Sequence, residues 1–129
     1  MEFVTFEIAK KLKEKGFKMP CIAHYYCLVG NVLNYNITTD CIRGSNFKCL
    51  NDEYNLYIDA PTISQALEWL RENKEVDLAI EPQFHFGKRK GYGVRVFAPS
   101  LNKPVRCGYF DKWEEASIAG IEYTLNNLI

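Results

Sequence analysis

The sequence predicts an α+β domain in which an antiparallel sheet is accompanied by about three helices, in the order α-βββ-α-βββ-α. Three observations carry this: helical spacing of apolar residues in three separated segments, period-two alternation in the stretches between them, and turn residues where the period changes. At 129 residues, 47% of them apolar and 14% aromatic, the chain has the size and core-forming content of one domain spanning 1–129.

The first helix is expected over residues 5–15. Thr5 can cap it, Ile8, Ala9 and Leu12 share a face, and Gly16 ends it with Phe17 placed to touch Leu12. Residues 21–38 change to a period near two, and Gly30-Asn31 is read as a tight hairpin turn. The arm from Leu33 to Thr38 alternates cleanly, which predicts half burial. Residues 39–53 show no period and read as a loop around an extended piece at 47–50, followed by a short strand at 54–58.

A second helix is expected from Thr62 to about Asn73, with Thr62 and Gln65 as a capping box and Ile63, Ala66, Leu67 and Leu70 on one face. In residues 76–86 the even positions Val76, Leu78, Ile80, Pro82, Phe84 and Phe86 form an apolar face, and Pro82 implies a sheet edge or a bulge. The segment Gly87-Lys88-Arg89-Lys90-Gly91 is read as a hairpin tip leading into a strand from Tyr92 to Phe97. A further strand is expected at 105–110. Asp111 and Glu114 are placed to cap a last helix with Trp113, Ile118, Ile121, Leu125 and Leu128 on its apolar face. Gly120, costly inside a helix, predicts a close backbone contact. The similar peptides Tyr57-Ile58-Asp59 and Tyr109-Phe110-Asp111 leave open a degenerate repeat or chance recurrence.

Two stretches, residues 60–72 (APTISQALEWLRE) and 110–122 with Phe110-Asp111-Lys112-Trp113-Glu114-Glu115-Ala116 and Ala119-Gly120-Ile121-Glu122, resemble small uncharacterised proteins encoded by bacteriophages and prophages of gut bacteria. The resemblance spans about a quarter of the chain and consists of helix caps and apolar faces. It implies a small accessory protein of a mobile element and carries over no functional residues.

Sixteen basic residues balance sixteen acidic ones, so a charge-driven partner must read a local patch. An N-terminus carrying acid at Glu2 and Glu7, and the lack of a long apolar run, predict a soluble cytoplasmic protein. The five cysteines, Cys21, Cys27, Cys41, Cys49 and Cys107, are expected to be reduced thiols. Cys21, His24 and Cys27 include zinc ligand types, but strand geometry would send His24 to the face opposite the cysteines, so no metal site is assigned. His85 and Glu81 share a strand face at about 13 Å, too far for a hydrogen bond. Cys107 could meet a histidine only in three dimensions. No G-x-S-x-G, H-E-x-x-H or G-x-x-x-x-G-K motif is present. No catalytic residue, metal or cofactor is therefore assigned, and a non-enzymatic protein is expected.

The sharpest local feature lies between Glu81 and Asp111, where the chain has six cations and no acid. Lys88, Arg89, Lys90, Arg95 and Arg106, interleaved with Phe84, Phe86, Tyr92 and Phe97, are the candidate nucleic-acid contacts. Residues 51 to 81 hold eight acids against Arg71 and Lys74, and six of those acids could instead face the cations across the fold. The leading expectation is a protein-binding or self-associating accessory module whose tyrosines lie on an uncovered sheet face, partnered by itself or a host protein. Nucleic-acid binding through the hairpin at 87–91 is the alternative, and a small enzyme with a Cys/His site ranks third.

Overall fold

The computed structural model describes residues 2–27, 35–38 and 57–129, with side chains described for 2–25 and 58–129. Among them the order is α1 (Phe6–Glu14), β1 (His24–Cys27), β2 (Tyr35–Thr38), β3 (Tyr57–Asp59), α2 (Ile63–Lys74), β4 (Asp77–His85), β5 (Lys88–Phe97), β6 (Val105–Phe110) and α3 (Trp113–Asn127). This is the α+β class and the α-βββ-α-βββ-α order that the sequence predicts. The six described strands divide between two antiparallel sheets, ordered β2-β1-β3 and β4-β5-β6, where the sequence suggested one sheet. Among the described strands, the first is central in one sheet and the middle one in the other, so the two sheets differ in strand order. Correspondingly, the chain clusters into two compact units, essentially residues 3–62 and 63–129.

In the first unit, Thr5 caps α1 by accepting the Ile8 N–H at 3.3 Å. At the other end Gly16 takes φ 96, the Gly16 N–H donates to Lys13 and the Phe17 N–H donates to Leu12 at 2.9 Å. That is a Schellman closure, formed where the sequence placed it. The buried residues Val4, Ile8, Ala9, Leu12, Phe17, Ala23, Tyr25, Ile58 and Ala60 form this unit's core. Phe6 meets Tyr25 edge-on at 5.5 Å, and the Tyr25 hydroxyl donates to the Val4 carbonyl. The sequence-predicted turn at Gly30-Asn31, the 47–50 piece and the burial of the 33–38 arm lie outside what is described. The strands flanking that turn do pair antiparallel, Tyr25 opposite Ile37.

In the second unit, α2 runs to Lys74 and closes with Glu75 at φ 56, the Val76 N–H reaching back to Leu70 at 3.2 Å. The strand after it begins at Asp77, one residue later than the sequence suggested. Pro82 sits on the outer strand β4, one residue from a register shift at Gln83/Phe84, so both of its expected settings occur together. Helix α3 starts from Lys112, whose N–H donates to the Glu115 carboxylate at 3.2 Å. The cap predicted at Asp111 thus falls one residue later.

The buried stripe of α3 is Ala116, Ser117, Gly120, Ile121, Thr124 and Leu125, while Trp113, Ile118 and Leu128 are only half-buried. Small residues lie against the sheet because they let the helix axis approach closely. A Cβ on Gly120 would strike the Leu78 side chain and come within 2.9 Å of Val94 Cγ2, which is the close contact this glycine predicted. The buried hydroxyls of Ser117 and Thr124 donate to the carbonyls of Trp113 and Gly120, both at 2.9 Å.

Candidate nucleic-acid interface

Helix α3 covers one face of the β4-β5-β6 sheet, the face of Leu78, Val94 and Val96. Residues directly opposite each other in an antiparallel ladder share a face, and successive residues alternate. The register pairs Ala79 with Arg95, Glu81 with Gly93, Arg95 with Arg106 and Gly93 with Tyr109. Glu81, Gln83, Gly93, Arg95, Arg106 and Tyr109 therefore project together from the other face. Gly93 is buried beneath them, none of the five side chains is, and Tyr109 keeps 62% of its surface exposed.

Two arginines stand directly opposite each other at the centre of this face. Like charges in a cross-strand pair are unfavourable. The site offsets the repulsion by giving each guanidinium an aromatic ring, with Arg95 5.3 Å from the Phe97 ring centroid and Arg106 5.0 Å from that of Tyr109. Arg95 also makes a two-pronged pair with Glu81, Nε to Oε1 and Nη2 to Oε2, each 2.9 Å. The Arg95 hydrogen bond, with further attraction from Arg95 and Arg106, holds the Glu81 carboxyl below the usual carboxylate range against a smaller opposing effect of desolvation.

The remaining cations sit differently from the expected loop tip. The connection between β4 and β5 is the two-residue turn Phe86-Gly87, closed by the pair His85 and Lys88, so Lys88, Arg89 and Lys90 belong to strand β5. Glycines at 87 and 91 suggest a loop between them, but Gly91 stands in the ladder opposite Gln83. Lys90 is the extra residue at the register shift. Arg89 lies over two rings, 5.9 Å from the Phe84 centroid and 5.4 Å from that of Tyr92, and its Nη1 donates to the Tyr92 hydroxyl at 3.0 Å. Phe84 and Phe86, read from alternation as part of a core face, are 61% and 92% exposed. Strand β6 stops opposite Tyr92, so outward of it β5 is paired, among the described strands, with β4 alone.

Of the candidate chemical groups, Cys21, His24, His85 and Cys107 have described side chains. Cys21 is buried and donates its thiol to the Met19 carbonyl at 3.4 Å, and His24 is buried on β1. The side chain of Cys27, and Cys41 and Cys49, lie outside what is described. Among the described residues no three of His, Cys, Asp and Glu gather as a metal-binding group. Cys107 is the extra residue of a bulge between Val94 and Arg95, and desolvation pushes its thiol pKa up, away from a reactive thiolate. His85 is exposed against the ring of Phe86 at 4.2 Å. Among the described residues no helix is long and apolar enough to cross a membrane.

All five cations singled out in the sequence thus lie on β5 and β6, two of them in one cross-strand pair. Tyr109, Gly93 and Gln83 complete the face and are not among the nucleic-acid contacts read from the sequence, because only the register brings them beside the arginines. No family model, curated protein or solved structure matches the chain.

Proposed function

We propose that the chain is a non-catalytic binding module that holds single-stranded nucleic acid on the open face of β4-β5-β6, as an accessory protein of the mobile-element kind the sequence resemblance implies. One observation carries the reading. Arg95 and Arg106 are set opposite each other against their mutual repulsion, each beside a ring, with Glu81 as the acid beside them. An anionic partner relieves that repulsion, and a base stacks on Tyr109 while a phosphate meets the guanidiniums. Net neutrality of the chain is no obstacle, because six cations fall where the sequence has no acid.

Association with a protein is the second reading, favoured by the exposed rings of Phe84 and Phe86. A second copy is a poor occupant of this particular face, since a symmetric contact would bring four arginines together. The test is fluorescence anisotropy with labelled oligo-dT and oligo-U across a salt series. Arg95→Ala/Arg106→Ala is expected to weaken binding about tenfold or more and to lower the salt slope by roughly two, one per phosphate contact. Equal, negligible binding by wild type and variant overturns the reading, and a ring-dependent dimer mass in light scattering favours the second.

A further inference from the structure

We propose that the β4-β5 ribbon is a wedge, which inserts Phe86 between stacked bases where a duplex opens into single strand; the inference rests on the nucleic-acid reading above. Beyond Tyr92 the ribbon is two-stranded among the described strands, and residues 84–90 are all exposed. Its apex pairs Phe86 at φ 52 with Gly87 at φ 77, a two-residue turn in which both residues are left-handed. Asn, Asp or Gly suits the first of these positions, and a bulky ring does not. Phe86 is therefore held against its backbone preference while 92% of its surface faces water. Neither burial nor turn geometry accounts for it, and residues that break a local rule without a structural gain cluster at functional places.

The surroundings specify the partner. Phe84 stands behind the apex under Arg89, which Tyr92 fixes by ring contact and hydrogen bond. Lys88 lies two residues from Phe86 and shares the face of Arg95, roughly 20 Å further along the strand at the usual rise. Cations spread along that length suit a run of phosphates, whereas a lipid surface met by the apex would engage only Lys88, Arg89 and Lys90. Apolar side chains that enter a base step unstack it.

The experiment uses a forked DNA carrying 2-aminopurine at the junction step, a single strand of the same length, and vesicles of phosphatidylserine and phosphatidylcholine. Wild type is expected to prefer the fork at least fivefold and to raise 2-aminopurine fluorescence on binding. Phe86→Ala is expected to keep single-strand affinity within about twofold and lose both effects, and Phe86→Trp to retain them. Should wild type bind single strands through Arg95 and Arg106 but leave the junction stacked, or should Phe86→Ala unstack it equally well, the wedge is overturned and the sheet-face reading stands. No binding to either DNA overturns both. Phe86-dependent binding to the vesicles without unstacking assigns the ribbon to a membrane surface instead.

Discussion

Arg106 lays its guanidinium across Gly93, where a side chain on the glycine would meet Arg106 Nη1 at 2.7 Å, Gln83 Nε2 at 3.1 Å and the Tyr109 ring at 3.2 Å. The missing Cβ is what lets an arginine lie flat on the sheet beside its tyrosine. Gly93→Ala should push aside the ends of flexible side chains and leave the fold intact, with a stability change within about 1 kcal/mol. Oligonucleotide affinity should fall several-fold. Urea unfolding and anisotropy on the same preparation separate the two effects.

Glu81 makes part of the stability acid-dependent. Its carboxyl titrates below its ordinary value because Arg95 hydrogen-bonds the charged form, so the folded state binds that proton less readily than the unfolded chain. The stabilisation is present above the unfolded value near 4.3 and is lost as the pH falls through the lower folded value. Glu81→Gln should flatten this part of the acid limb, seen as a smaller drop in urea midpoint between about pH 5 and pH 3. Freed from its carboxylate, Arg95 should also bind oligonucleotide more tightly at neutral pH.

Gly120 is a steric position rather than a flexible one. Gly120→Ala gains up to about 1 kcal/mol of helix propensity but drives a methyl into Leu78 and Val94, and overpacking of this kind costs roughly 1–3 kcal/mol. A net loss of about 1 kcal/mol is expected in denaturant unfolding. The loss should shrink in a Leu78→Ala background, which vacates the space, so a double-mutant cycle reports the contact directly.

Among the described residues two non-glycines have left-handed backbones, Glu75 after α2 and Phe86 at the ribbon apex. Glycine at either position should stabilise the protein by about 1 kcal/mol, by relief of the left-handed penalty. The two differ in consequence. Glu75→Gly should leave oligonucleotide binding and junction unstacking unchanged, whereas Phe86→Gly should abolish unstacking. Melting temperatures alongside 2-aminopurine fluorescence distinguish them.

Local chemistry was the legible part of the sequence. Thr5, Gly16 and Phe17 announce the two ends of α1 through caps that act over a few residues, and they form as read. Strand partition was not legible, because period-two alternation marks a strand without naming its neighbour. The ribbon tip was misplaced for a related reason. Paired glycines at 87 and 91 mimic a loop, and a turn that puts phenylalanine in the left-handed region defies the usual turn code. The cations of the candidate site were visible as an acid-free run. Their juxtaposition was not, since the extra residues Lys90 and Cys107 reset the alternation and only the register reveals that Arg95 meets Arg106.

The hydroxyls on the inner side of α3 are both committed to their own helix, at Trp113 and Gly120. That helix therefore has no polar latch from these two residues onto the strands beneath, and its seat is a matter of shape, the notch at position 120 receiving Leu78 and Val94. A shape key tolerates sliding once it is filed down. Replacing Leu78 and Val94 together by alanine would leave the helix intact but free to settle at more than one position along its axis, turning a unique native packing into a set of near-equivalent ones.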